Sequence, residues 1–199
     1  MRNPLDRLTR RLPAPFDLVA EWVLTIALAV VAVLVVKVEV ANPYRIPSAS
    51  MEPTLHCARP GPGCQAHFSD RVVANRFIYH FRDPRRGEIV VFHTPDSAHV
   101  CGETGTFVKR IIGLPREVVS ERDGTMYVDG RRLDEPYIDP KLGDHESGRW
   151  GRVPSDSYFV MGDNRAASCD SRLWGTVPRS NLIGPVFLRY WPPNRIGGS

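Results

Sequence analysis

The sequence predicts a mainly β protein, an antiparallel β-sheet domain behind one N-terminal transmembrane helix. Two observations carry that reading. A basic N-terminus leads into an apolar run at residues 22–36. Beyond it, the 199-residue chain repeats short β-branched and aromatic segments broken by Pro, Gly and Asp-Gly turns. The length beyond the run suits one domain, or two small subdomains sharing a core.

Arg2, Arg7, Arg10 and Arg11 precede the run, which extends to residues 16–40 only by taking in Asp17, Glu21, Lys37 and Glu39. A crossing needs roughly 20 mostly apolar residues, so Glu21 and Lys37 must sit at the two interfaces, and Trp22 suits the first of them. The competing reading is a cleaved secretory signal. Cutting after Ala41 would put Glu39 at the third position before the cut, so no clean small-x-small site ends the run and retention as an anchor is favoured. Positive charge ahead of the run predicts residues 1–15 in the cytoplasm, 16–40 as a single pass through the cytoplasmic membrane, and 41–199 on the extracytoplasmic face. An organellar inner membrane is the variant of that placement.

The segments that follow read as strands. Residues 71–81 and 87–93 are rich in β-branched and aromatic residues, with a Pro-containing charged link between them. Residues 106–112 come next, then 117–120 and 125–128 around Asp123-Gly124, and 131–133 after Asp129-Gly130, a meander forming a smaller inserted hairpin region. Residues 134–154 read as a long surface loop, 157–161 and 182–190 as strands, and 192–199 as a tail. Trp150, Trp174 and Trp191 are assigned to core packing.

A net charge of +4, with arginines scattered among acids, draws no basic stripe for nucleic acid. Cys57 and Cys64 bracket a turn-rich Ala-Arg-Pro-Gly-Pro-Gly, leaving Cys101 and Cys169 as a second candidate pair, although four cysteines allow three connectivities. No two cysteines stand two to four residues apart, so disulfides are favoured over zinc even with His56 and His67 nearby. No metal or cofactor is expected.

Three stretches concentrate chemistry. Ile46-Pro47-Ser48-Ala49-Ser50-Met51-Glu52-Pro53-Thr54-Leu55 follows the apolar run. Lys109, one of three lysines with Lys37 and Lys141, alternates onto the face of Phe107 and Ile111, where desolvation would disfavour its ammonium. Arginine could not serve there as a base, because it stays protonated. By itself, a lysine covering apolar surface with its stem is the better account of the position. Gly162-Asp163-Asn164-Arg165, with Ser168, Asp170, Ser171 and Arg172 after it, reads either as an Asx-rich turn with a local ion pair or as a scaffold orienting a lysine.

Residues 47–55, 107–115 and 162–175 resemble the signature boxes of the type I signal peptidases, membrane-bound Ser-Lys endopeptidases that remove signal peptides from exported preproteins. Residues 71–79 also resemble the segment that follows the nucleophile, so the likeness runs from about residue 41 onward. The resemblance implies Ser50 as nucleophile and Lys109 as general base. It implies an oxyanion hole from the Ser50 amide and Ser48, and Ser168 hydrogen-bonded to the lysine. Asp163, Asn164, Arg165, Asp170 and Arg172 would brace the site. It further implies an acyl-enzyme, cleavage after small-x-small junctions, and as partners signal peptides, the lipid bilayer and proximity to the protein translocation machinery. A lysine base resembles the bacterial and organellar branch.

The chain departs from the family pattern at Gly113-Leu114-Pro115-Arg116-Glu117, where arginine replaces a glycine suited to positive φ. It also departs at Ser69-Asp70, which replaces Gly-Asp, and at the inserted Cys57 to Cys64 loop. Three rivals stand beside the signal-peptidase reading. A self-cleaving Ser-Lys protease of the repressor type would share the chemistry, but no helix-turn-helix precedes Ser50. A Ser-His-Asp hydrolase would use His93 or His99, but Ser50 lies in no Gly-x-Ser-x-Gly elbow. An anchored peptide-binding β-domain would have no use for both Ser50 and Lys109.

Overall fold

A computed structural model of the chain describes residues 16–39, 41–102 and 104–198. The basic segment 1–15, expected in the cytoplasm, lies outside the described residues, as do Val40, Glu103 and Ser199. The chain divides into two units, Met1–Ala41 and Asn42–Ser199.

In the first unit, helix α1 (Phe16–Glu39) covers 24 residues. Leu18, Val19, Trp22, Val23, Ile26, Leu28, Val30, Val31 and Val33 are all exposed on it. Side chains are described for residues 18–31 and 33, a stretch shorter than the roughly 20 apolar residues a crossing requires. Among the described residues no helix is long and apolar enough to cross a membrane.

The second unit is antiparallel β. Its strands in chain order are β1 (Ala41–Arg45), β2 (Arg71–Asn75), β3 (Ile89–His93), β4 (Thr106–Gly113), β5 (Val118–Arg122), β6 (Thr125–Val128), β7 (Arg131–Arg132), β8 (Gly148–Arg152), β9 (Ser157–Met161), β10 (Val177–Pro178) and β11 (Leu182–Trp191), with a one-turn helix α2 (Ser171–Trp174) before β10. Among the described residues these make a seven-stranded sheet, β1-β2-β11-β3-β4-β9-β10, and a four-stranded sheet, β7-β6-β5-β8. The small sheet is inserted between β4 and β9 in the sequence.

Alternation explains how both faces of the large sheet are covered. On β3, Ile89 and Val91 pack with Ile46, Met51, Leu55, Val72 and the Cys57–Cys64 pair, while Val90 and Phe92 pack on the other side with Ile111, Tyr158, Val160 and Trp174. Phe159 and Met161 of β9 join Ile112 to Val119 and Met126 of the small sheet. This third cluster couples the two sheets through the strands that flank the insertion.

Local hydrogen bonding moved several expected boundaries. The strand expected at 71–81 stops at Asn75, whose Oδ1 accepts from the Phe77 and Ile78 amides at 3.0 and 3.1 Å and turns the chain into a 3-10 turn. The expected loop 134–154 contains β8, whose glycines and arginines mask its strand character until β5 pairs with it. The expected tail folds back: Arg189 and Gly197 exchange backbone hydrogen bonds, and Arg195 pairs with buried Asp70. Trp174 is buried as expected, whereas Trp191 stays partly exposed, edge-on to Phe68.

Candidate active site

The segment after β1 is pinned before the first serine. Ile46 is buried and donates its amide to the Asp70 carbonyl at 3.0 Å. Ala49–Met51 then form a 3-10 turn that buries Ala49 and Met51 and leaves Ser50 half-buried between them. The Ser48 and Ser50 hydroxyls lie 3.3 Å apart. Beneath the turn, buried Glu52 accepts from the Cys57 and Gln65 amides at 3.1 and 3.2 Å and pairs with His56. The inserted Cys57–Cys64 loop is thereby fastened to the serine turn.

Lys109 comes from β4, where it stands opposite Val90 of β3. It is only 3% exposed, and its amine lies 5.9 Å from the centre of the Phe107 ring. Ser48, Ser50 and Lys109 together line a cleft of about 390 Å³. Cys101 and Cys169 form its wall and are joined as a disulfide with a Cα–Cα distance of 5.9 Å; Cys57 and Cys64 pair at 5.0 Å. His93 and His99 are exposed and do not line the cleft.

The 162–172 loop holds the two chemical segments in register. Asn164 donates its backbone amide to the Ser50 carbonyl and its Nδ2 to the Ala49 carbonyl, both at 3.1 Å. Its Oδ1 accepts from the Ala167 amide at 3.2 Å. Asp163 grips Arg110, the neighbour of Lys109, at 2.8 and 2.6 Å. Arg165 pairs with Glu135. Asp170 caps α2 by accepting from the Arg172 amide at 3.2 Å, receives the Gly162 amide at 3.1 Å, and binds the Arg172 guanidinium at 2.9 Å. Burial works against the Arg172 charge, but its hydrogen bonds to Asp170 and the pull of Asp170 and Asp144 outweigh it and move its pKa up.

Ser168 departs from the expectation. Its Oγ is buried and has no hydrogen-bond partner among the described residues, so the expected bond to Lys109 is not formed. The hydroxyl rests on the backbone of Gly162: a Cβ there would stand 2.3 Å from Ser168 Oγ and 2.3 Å from the Ser50 carbonyl oxygen. Lack of a side chain at Gly162 lets both approach, and the hydroxyl packs on the Cα.

Several site residues were not singled out from sequence. Arg110 is the ion-pair partner of Asp163, and its guanidinium stacks on Tyr137 at 3.8 Å. Glu135 holds Arg165 and accepts from the Tyr137 hydroxyl at 2.7 Å. Asp144 holds Arg172 from the far side. Only Arg110 carried a signal, as a second basic residue inside an apolar strand; Glu135 and Asp144 sit in a segment that looked like solvated loop.

The departures at Arg116 and at Ser69-Asp70 are absorbed locally. Arg116 takes the left-handed conformation itself, with φ 71°, and donates its amide to the Val153 carbonyl at 2.9 Å. Ser69 Oγ accepts from the Ala58 amide, and Asp70 receives the His56 amide and Arg195.

Comparison with known proteins places the chain in a family. The family described as signal peptidase, peptidase S26, matches residues 19–191. Signal peptidase I of Leptolyngbya laminosa is 41% identical over 181 residues, covering 89% of this chain and 82% of that protein. The probable signal peptidase I-2 of a Synechocystis strain is 42% identical, covering 87% and 73%. Signal peptidase IB of Staphylococcus aureus is 32% identical, covering 86% and 89%. The chain belongs to the signal peptidase family, peptidase S26.

Proposed function

We propose that this chain is an endopeptidase that removes signal peptides from exported preproteins, with the Ser50 hydroxyl as nucleophile and the Lys109 amine as general base. The observation that carries the reading is one cleft presenting Ser48, Ser50 and buried Lys109 together. Neutral Lys109 takes the Ser50 proton as Oγ bonds to the scissile carbonyl carbon. The Ser50 amide and the Ser48 hydroxyl donate to the oxyanion, each contribution worth about 3 to 4 kcal/mol. The C–N bond then breaks and Lys109 returns the proton to the leaving amine. A water deprotonated by Lys109 attacks the acyl-enzyme ester, releasing the signal peptide as a carboxylate and restoring Ser50. Asp163, Asn164, Arg165, Asp170 and Arg172 hold these groups in place.

The substrate enters as an added strand. β4 pairs with β9 only from Arg110 onward, so its Thr106 to Lys109 half keeps an edge that β9 does not use. Backbone pairing along that edge gives affinity, and the narrow cleft selects small side chains one and three residues before the cut. Residues 16–40 anchor the enzyme, the basic segment ahead of them setting its orientation. Residues 1–15 lie in the cytoplasm, and the β unit acts on the extracytoplasmic face of the cytoplasmic membrane beside the translocation machinery, where signal peptides emerge.

The test is cleavage of a preprotein with an Ala-x-Ala junction by detergent-solubilised enzyme, beside folded Ser50→Ala and Lys109→Ala variants. Wild type cuts at the junction and both variants are inactive. Full activity in Lys109→Ala would remove the assignment.

A further inference from the structure

Glu121 sits on the buried face of β5 and is 2% exposed. Neither of its carboxylate oxygens receives a hydrogen bond from a donor group among the described residues, and the nearest polar group is the carboxyl of Asp144. A bare carboxylate in that setting is too costly to leave uncompensated. Asp144 and Glu146 approach from the loop before β8, and one oxygen from each of the three side chains lies within 4.8 Å of the others.

The nearby positive charge is already committed. Arg172 binds Asp170 and Asp144 and stands 3.9 Å from Glu146, while Arg165 is matched to Glu135. Three carboxylates therefore share one guanidinium, and Glu121 pairs with none. The carboxylates of Glu121, Asp144, Glu146 and Asp170 outnumber the guanidinium beside them, so the site draws in positive charge.

A proton would need only Glu121 and Asp144. The convergence of a third carboxylate is what a metal ion uses, and calcium, bound at about 2.3 to 2.6 Å, spaces opposed oxygen ligands by about twice that distance. An all-oxygen donor set excludes the softer preferences of zinc. The Glu146 side chain is 70% exposed, which leaves an entry path and room for water ligands.

We infer that Glu121, Asp144 and Glu146 form a binding site for a calcium-sized divalent cation. The site lies away from the Ser50–Lys109 cleft but is tied to its scaffold, since Asp144 holds Arg172, Arg172 holds Asp170, and Asp170 receives the Gly162 amide. Cation loading would therefore brace the loop that positions the serine turn.

The experiment is thermal unfolding and calorimetric titration of the full chain in detergent at pH 8, first stripped with chelator and then titrated with CaCl2. Saturable binding is expected, with Tm rising by about 3 to 5 °C at a tenfold excess over Kd. Glu121→Gln abolishes the response. Glu146→Gln, whose exposed side chain leaves folding untouched, weakens calcium binding about tenfold or more, and decides the matter if Glu121→Gln fails to fold. An unchanged Tm between calcium and chelator would overturn the site and leave a shared proton in its place. An equal calcium response in wild type and Glu146→Gln would overturn it as well.

Discussion

Arg110 and Asp163 are joined by a two-pronged ion pair, Nε to Oδ1 at 2.8 Å and Nη2 to Oδ2 at 2.6 Å, buried between β4 and the loop after β9. Each is the chain neighbour of a residue that shapes the cleft, Lys109 and Gly162. The pair locks the strand carrying the amine to the loop that holds the serine turn. Removing one partner strands the other charge, so Asp163→Ala should cost about 3 to 5 kcal/mol in urea unfolding. Arg110→Lys should recover only part of that, because an ammonium cannot reproduce the fork.

Gly162 allows the closest backbone approach in the site. A Cβ there would meet the Ser50 carbonyl at 2.3 Å, a backbone atom that cannot rotate away. Gly162→Ala should displace the serine turn and lower kcat by about 100-fold or more, as a 1 Å misplacement does. A kcat within twofold of wild type would show that the turn moves freely.

Arg116 occupies a left-handed position at φ 71°. That conformation costs a side-chain-bearing residue about 1 to 2 kcal/mol, and glycine gives back about 0.4 to 1 kcal/mol through its freer unfolded chain. Arg116→Gly should therefore stabilise the protein by about 0.5 to 1 kcal/mol and leave cleavage unchanged. Destabilisation in denaturant would mean the arginine side chain contributes more than its backbone strain removes.

The Cys101–Cys169 bond closes a 68-residue separation beside the cleft, whereas Cys57–Cys64 closes one of 7. Loss of the first, as the double serine variant, should cost about 2 to 4 kcal/mol, and loss of the second should cost less because the shorter loop constrains the unfolded chain less. Paired unfolding curves check the ranking. The first variant should also raise KM, since both its cysteines line the cleft.

Sequence by itself determined the β architecture and the serine and lysine segments, because strand alternation, turn residues and motif order are local properties, while it left three cysteine connectivities open. Ser50 and Lys109 were singled out through the order of the three family boxes, and the fold brings both to one cleft. Tertiary structure decided what lies between them. The hydroxyl of Ser168 settles on Gly162 and not on the lysine because two backbones meet where no side chain stands. Arg110 finds Asp163 across 53 positions, Arg165 finds Glu135 across 30, and Glu121 meets Asp144 and Glu146 across a sheet insertion that read as loop. Such pairings depend on which strands become neighbours, and burial then compels each charge to find a partner that no spacing in the chain announces.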